Sequence, residues 1–462
     1  MYEGDTIAAI STPPGVGGIG VVRVSGPGVL EVVRQAFVRT TGQALCNPVS
    51  HRAYHGYVVD AEGHRVDEVL LCVMRRPRSY TCEDVVEMSC HGGSISTQRV
   101  LEAVLARGAR VAEPGEFTKR AFLNGRLDLA QAEAVIDLIH ARTESSHRAA
   151  LHQLEGALSQ HLREVRESLL QVSVYLEAGI DFPEEDIELV SAGGLIERLD
   201  TIDGQFDRLL STFERGRLLR EGLATAIVGR PNVGKSSLLN ALVGRDRAIV
   251  SSQPGTTRDT IEAELDLDGL LLRVIDTAGI RTTCDDIEQE GVRRARDVAV
   301  QAELLVVVFD GSMALTPDDY ALLAETVAKP RVFVQNKCDL TPCWSRAALG
   351  SAHAEVPFVP VSASRGDGLP ALEQAVIRHV VGDIPLNRDE VRLTQARHRQ
   401  LIDVALHNVR AAADGLREGT PLEFVAFDVT EAIENVSEVL GESESAAGEV
   451  LDRIFSQFCI GK

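Results

Sequence analysis

Long apolar runs are missing from this 462-residue chain. No stretch approaches the roughly 20 residues that a helix needs to cross a bilayer, and the first residues lack the basic, apolar, small-residue order of a secretory signal. No membrane-spanning helix is expected, and a cytoplasmic protein is the expectation that follows. Cysteine is sparse as well: eight residues and no Cys-x-x-Cys pair. That excludes a zinc ribbon and a disulfide framework, and most of the thiols are expected to be small buried hydrophobes. Positive charge is also short, 47 Lys and Arg against 68 acidic residues for a net charge of −21. Such a surface repels polyanions, so a nucleic-acid partner has to meet a local basic patch, and no Lys/Arg-rich block occurs.

What is present is enough for about three domains, with 44% hydrophobic and 25% charged residues, the balance of a globular chain. Residues 1–118 alternate short β-rich runs with turns, Ile7–Ile10, Ile19–Val24, Val69–Met74 and Val85–Met88 as strands, Val29–Phe37 and Thr97–Ala106 as helices. Gly15-Val16-Gly17-Gly18-Ile19-Gly20 spells G-x-G-x-x-G, but it follows Pro13-Pro14 and leads into an apolar β-branched run. A dinucleotide fingerprint must open a helix, so this is read as a glycine turn between strands. His91-Gly92-Gly93 is read as a tight strand-to-helix turn.

Residues 119–217 are expected to be helical. Leu154, Leu158, Leu162, Val165, Leu169, Val172 and Leu176 form one stripe at spacings of three and four, read as a continuous bundle face. The acidic segment Asp181 to Asp186 is expected to be a solvated loop. Residues 218–385 alternate β and α patterns, and helical periodicity returns over 386–462. The architecture that follows is multidomain α/β and α: a small α+β N-terminal domain, a discontinuous helical bundle, and an inserted P-loop domain with a mostly parallel sheet.

The chemistry sits in the inserted part. Gly229-Arg230-Pro231-Asn232-Val233-Gly234-Lys235-Ser236 lies between an apolar β-branched run and a helical pattern. It matches G-x-x-x-x-G-K-[ST] in the context that a phosphate-cradling loop requires. Backbone N–H groups and the helix N-terminus meet phosphate oxygens, Lys235 reaches the β- and γ-phosphates, and the Ser236 hydroxyl binds Mg²⁺. Thr257 in Gly255-Thr256-Thr257-Arg258-Asp259 offers a second hydroxyl to the metal, and Ile275-Asp276-Thr277-Ala278-Gly279 supplies a carboxylate for its shell and a glycine N–H. In Asn336-Lys337-Cys338-Asp339 a carboxylate can accept two N–H bonds from guanine, a pair adenine does not offer. Ser362-Ala363-Ser364 closes the loop around the base.

The ordered set resembles the GTPases among P-loop proteins, with a Ras-like fold. Ile280 stands where switch GTPases carry a water-orienting Gln, so Glu288 is the candidate for that work, with Lys235 the other catalytic residue. The GTP contacts run over Asn232, Val233, Gly234, Lys235, Ser236 and Ser237, then Ser251, Ser252, Gln253, Pro254, Gly255, Thr256 and Thr257. They continue through Asp276, Thr277, Ala278 and Gly279, then Asn336, Lys337 and Asp339, and end on Ser362, Ala363 and Ser364.

The order of parts also resembles one family closely, the tRNA-modification GTPases called MnmE or TrmE. The likeness rests on Thr12-Pro13-Pro14-Gly15, Arg23-Val24-Ser25-Gly26, His91-Gly92-Gly93, the run from Pro114 to Leu129, the nucleotide motifs, and the ending Phe458-Cys459-Ile460-Gly461-Lys462. It implies a 1–118 domain that dimerises and binds 5-formyl- or methylene-tetrahydrofolate, a helical domain in two parts (119–217 and 386–462), and a GTPase domain over 218–385. It further implies a homodimer working with a GidA/MnmG flavoprotein, whose FAD belongs to that partner, to install an aminomethyl-type group at C5 of the wobble uridine of certain tRNAs. By motif, K⁺ would sit among Asn232, Ser251, Gln253 and Thr256, Mg²⁺ at Ser236 and Thr257, and the folate against Arg23, Glu87, Arg126 and Lys462. Three positions depart from the family's usual residues: Arg126 for Lys, Ser251 for Thr, and Cys90 for the Gly before His91. Arg keeps the charge while changing its geometry, and Ser keeps the hydroxyl oxygen. Lys462 is expected to be tied down by Phe455, Phe458 and Ile460, and Cys459 is read mainly as a packing residue.

Overall fold

The structure, a computed structural model, describes residues 4–181, 192–244, 261–275, 302–382, 390–443 and 448–461. The chain divides into two compact units, one of residues 1–136, 153–203 and 404–462, the other of 137–152 and 204–403.

The first unit opens with β1 (Thr6–Ile10), β2 (Ile19–Ser25), α1 (Val29–Ala36), β3 (Phe37–Arg39), β4 (Arg52–Val59), β5 (Arg65–Met74), β6 (Val85–His91), α2 (Ser94–Leu105) and β7 (Ala109–Val111). The seven strands form one sheet in the order β3-β4-β5-β6-β2-β1-β7, antiparallel except for the β1–β7 pair. Side chains alternate across it. Ala8, Val22, Val24, Leu71, Val73, Val86 and Met88 bury one face in a core shared with Val29, Val32 and Val33 of α1 and Val100 and Val104 of α2. The other face carries the cross-strand row Ala9, Arg23, Glu87, Cys72. The glycine turn at 15–18 does sit between two strands, β2 starting at Ile19, and α2 does begin just after His91-Gly92-Gly93. β4 went unread because its run alternates Arg, His and Gly with its apolar residues, exposed side chains at one end and buried Gly56, Val58 and Val59 at the other.

Helices follow: α3 (Glu116–Leu123), α4 (Leu129–His140), α5 (Glu144–Leu154), α6 (Ala157–Asp181), α7 (Ala192–Ser211) and α8 (Phe213–Glu221). The apolar stripe is not one continuous helix. Gly156 at φ 95° breaks it between α5 and α6, and only from Leu158 onward are all its members buried. Asp181 is the last residue of α6; the rest of the acidic segment lies outside the described residues.

The second unit is built on β8 (Leu223–Val228), α9 (Lys235–Val243), β9 (Ile261–Leu267), β10 (Leu270–Ile275), β11 (Leu304–Asp310), α10 (Pro317–Glu325), β12 (Arg331–Asn336), β13 (Phe358–Val361) and α11 (Leu369–Val381). Its sheet runs β13-β12-β11-β8-β10-β9, parallel throughout except for β9, the mostly parallel sheet expected. β11 and β12 are buried along their whole length because apolar clusters cover both faces, Leu304, Val306 and Val308 on one side and Leu305, Val307 and Phe309 on the other. Ligands in such sheets bind beyond the carboxyl ends of the strands, and here those ends lead to Gly229, Gly311 and Lys337.

The chain closes with α12 (Ala396–Glu418), α13 (Leu422–Leu440) and α14 (Glu449–Phe455). Within the first unit α13 runs antiparallel along α6: Leu422 lies against Gly179, and Arg166 Nε donates to Ser437 Oγ at 2.8 Å. Leu158, Leu162, Val165, Leu169, Val172 and Leu176 of α6 are buried with Val425, Val429, Ala432 and Val436 of α13. Each large side chain so buried contributes about 1.5–3 kcal/mol over its exposed state.

The cysteines depart from expectation. Among the seven described, only Cys90 is buried, while Cys46, Cys338, Cys343 and Cys459 are exposed. The exposed four lie in turns and loops, where no sheet face or helix stripe covers them.

Candidate functional site

β8 is extended because Ala226, Ile227 and Val228 are buried on both faces of the sheet, and it stops at Gly229. The phosphate loop that follows uses conformations that ordinary residues avoid: Gly229 at φ 159°, Asn232 at 64° and Gly234 at 97°. A Cβ on Gly229 would strike the Val308 carbonyl, and one on Gly234 would collide with the Asn336 amide. The glycines of the motif are therefore needed for backbone shape and for close packing together. Lys235 Nζ donates to the carbonyls of Gly229 and Arg230, both at 2.9 Å, and folds back over the loop. Burial pulls its ammonium below the usual lysine range. Arg230 is anchored in turn by Asp319 of α10, Nε to Oδ1 at 2.8 Å. Ser236 and Ser237, in the first turn of α9, are exposed, so the hydroxyl expected to meet Mg²⁺ is open to solvent, as is Asn232.

The residues expected to read the base meet this loop directly. Asn336, at the end of β12, is buried; its Nδ2 donates to Val233 O at 2.8 Å and its Oδ1 accepts from Ala363 N–H at 3.1 Å. One amide side chain thus joins the phosphate loop to the Ser362-Ala363-Ser364 loop. Ser362 Oγ donates to Asp339 Oδ1 at 2.6 Å, which holds that carboxyl below its ordinary range and so ionised and ready to accept. Ser364 Oγ lies 3.0 Å from Ser362 Oγ. Lys337, at φ 64°, sends Nζ to Asp310 Oδ2 at 2.6 Å. Asp310 was not singled out from the sequence, although an Asp closing an apolar strand and followed by Gly311 was the available signal.

A second cluster lies in the first unit. Arg23 Nε donates to Glu87 Oε1 at 2.9 Å and its Nη2 lies 2.8 Å from the same oxygen, across the β2–β6 register. Both contacts fall on one oxygen, so Arg23 makes no use of Oε2. The Arg23 guanidinium stands 5.2 Å from the Tyr80 ring and 5.5 Å from the Phe117 ring, and that of Arg126 stands 4.8 Å from Tyr80. Arg126 Nη1 also donates to the Tyr80 carbonyl at 2.9 Å. Tyr80 and Phe117 therefore belong to this cluster; nothing in their sequence spacing marked them. The C-terminal residues join it: Ser11 Oγ donates to Gly461 O at 3.1 Å, Arg23 Nη1 reaches the same oxygen at 3.5 Å, and Ile460 bridges to Pro114. Phe455 and Phe458 are buried and hold this tail, but Ile460 is 55% exposed and is held by its backbone rather than by apolar packing. Cys459 is exposed, which corrects its packing role.

Several expected site residues lie outside the described residues: Ser251, Ser252, Gln253, Pro254, Gly255, Thr256, Thr257, Asp276, Thr277, Ala278, Gly279, Ile280, Glu288 and Lys462.

Family models match most of the chain. One described as "MnmE helical domain" matches residues 129–459, and one described as "GTP-binding protein TrmE N-terminus" matches residues 6–126. The tRNA modification GTPase MnmE of Heliobacterium modesticaldum is 47% identical over 466 residues, covering 99% of this chain and 100% of the relative. Its namesake in Geobacter sulfurreducens is 47% identical over 464 residues, covering all of both chains. That of Moorella thermoacetica is 47% identical over 463 residues and 99% of each. With two family models laid end to end and full-length identity near one half, the chain belongs to the MnmE family of tRNA modification GTPases.

Proposed function

We propose that this protein hydrolyses GTP in the modification of tRNA, as a K⁺-stimulated enzyme acting with a GidA/MnmG-type flavoprotein to place an aminomethyl-type (carboxymethylaminomethyl) group at C5 of the wobble uridine. The observation that carries the GTP part is Asn336, whose side chain ties Val233 of the phosphate loop to Ala363 of the base loop. Phosphate and base recognition are then parts of one hydrogen-bonded assembly, with the ionised Asp339 as the guanine reader.

Mg²⁺ is assigned to Ser236 and Thr257, and K⁺ to Asn232, Ser251, Gln253 and Thr256. The exposed oxygens of Ser236 and Asn232 suit hard cations. Bound there, K⁺ would supply positive charge where other GTPases use an arginine, and Glu288 would orient the water. In the 1–118 domain, Arg23, Glu87, Arg126 and Lys462 are assigned to a tetrahydrofolate. The residues fit such a group: Glu87 keeps an oxygen that Arg23 does not use, suited to the N–H donors of an amino-pyrimidine ring, and the two guanidiniums suit its carboxylates. The same domain makes the homodimer, and the protein works in the cytoplasm, with the GTPase domain at 218–385 inserted in sequence between the two helical parts.

The test is hydrolysis in K⁺ against Na⁺ at equal ionic strength. Turnover is expected to rise at least about a hundredfold in K⁺, the lower end for one group aimed at the developing charge, and equal turnover would sink the cation assignment. A regulatory or ribosome-assembly switch is the competing function. Unchanged wobble-uridine composition in tRNA from cells lacking the protein would favour it.

A further inference from the structure

β11 is apolar and buried until its last residue, where a carboxylate, Asp310, ends it at 5% exposure. A buried carboxylate is costly unless charge and hydrogen bonds meet it. Ser312 gives it two donors, N–H at 2.9 Å and Oγ at 2.6 Å, both on Oδ1, and Lys337 Nζ takes Oδ2 at 2.6 Å. The backbone around it is stitched as tightly. Gly311 N–H donates to Asn336 O, Cys343 N–H to Gly311 O and Trp344 Nε1 to Asp310 O, each at 2.8 Å. Trp344 packs edge-on to Phe309 and Phe358, so the corner is rigid.

What this corner grips is the base-reading loop. Lys337 occupies a left-handed conformation at φ 64°, unfavourable for a lysine unless its surroundings impose it. The loop is held at one side by the Asn336 amide and at the other by the Ser362–Asp339 bond. Its middle is held by Cys338 N–H, which donates to Val361 O at 3.1 Å, and by the Lys337 side chain, whose charged anchor is Asp310.

We infer that Asp310 is a positioning residue for guanine-nucleotide binding, acting through Lys337 to keep the Asn336–Asp339 loop in its binding shape before the nucleotide arrives. The inference rests on the GTP reading above. Its energetic content is preorganisation: a loop already ordered does not lose that conformational freedom on binding.

The experiment is titration of the full-length protein with mant-GTP and mant-GDP, excited through Trp344, the single tryptophan of the chain. Asp310→Asn keeps the acceptor for Ser312 and removes the charge facing Lys337. It is expected to weaken GTP and GDP alike by about tenfold, the scale of one charge-assisted hydrogen bond. Turnover at saturating GTP should stay within about twofold, since nothing touching the reacting phosphates has changed. In a Lys337→Met background the same change should add less than about twofold, because the tether is already cut.

Wild-type affinity in Asp310→Asn, or losses that multiply in the double variant, would overturn the inference. Should Asp310→Asn fail to fold, Ser312→Ala replaces it. It removes only the hydroxyl that orients the carboxylate, an about threefold loss is expected, and an unchanged affinity overturns the inference equally. A wild-type protein that binds neither nucleotide would instead refute the GTP reading itself.

Discussion

At the scale of single residues, the motif positions were legible because their chemistry demands fixed spacing. Gly229 and Gly234 take positive φ, Lys235 Nζ folds back onto the loop carbonyls, and the Asn336 amide ties Val233 to Ala363. Residues that act by packing gave no such signal. Glu116 is the clearest case: it is 1% exposed and accepts from Arg110 Nη1 and Nη2 at 2.8 and 2.6 Å and from Arg120 Nη2 at 2.9 Å. Arg120, itself 4% exposed, also pairs with Asp5 at 2.7 Å and Glu83 at 3.2 Å. Burial pushes the Glu116 carboxyl up, but the hydrogen bonds of Arg110, Glu113 N–H and Arg120 outweigh it and hold it below the usual glutamate range. A carboxyl whose folded value is depressed adds stability above its unfolded value, near 4.3, and loses it as pH falls through the folded value. Glu116→Gln should therefore cost about 3 kcal/mol at pH 7, where it leaves the buried Arg120 guanidinium and the part-buried Arg110 short of charge. The gap in unfolding free energy should narrow as pH falls below the unfolded value and through the depressed folded one. Denaturant melts across that range decide, and a gap independent of pH would show that the pair contributes shape and not charge.

At the scale of elements, helices were read better than strands. The stripe from Leu158 to Leu176 repeats for many turns, so its period is unambiguous, whereas β4 alternates polar and apolar residues over a short run and β3 and β7 are three residues each. The break at Gly156 was missed because the apolar spacing passes through it undisturbed; only its φ of 95° betrays a turn. α6 gives a direct check on the packing. Leu169 on α6 is fully buried, while Val174 on the same helix is 63% exposed. Leu169→Ala should cost about 3 kcal/mol through lost transfer energy and the cavity left behind. Val174→Ala should stay within about 0.5 kcal/mol. Equal effects on the melting temperature would mean that the helix pair is not a cooperative core.

At the scale of the whole molecule, the decisive quantity is charge. Acidic residues outnumber Lys and Arg by 68 to 47, and the net charge is −21. A protein in a tRNA-modifying family must still meet a polyanion, and the long-range field works against it at every distance below a Debye length, about 8 Å at physiological salt. Affinity bought from phosphates comes with counterion release, so it steepens the salt dependence with each contact. A strongly acidic chain without a Lys/Arg-rich block can make few such contacts, and its recognition has to come from a confined surface and from shape. The expected outcome is concrete. Unrelated RNA of tRNA length should bind more weakly than about 100 µM near physiological salt, the weak end of the non-specific range. For substrate tRNA, a plot of log affinity against log salt should have a slope shallower than about −3, equivalent to only a few neutralised phosphates. Filter binding or fluorescence anisotropy between low and moderate KCl measures both. Micromolar binding of unrelated RNA with a slope of −6 or steeper would mean that a basic surface has assembled from residues scattered along the chain, and that net charge was the wrong guide to how this protein meets its tRNA.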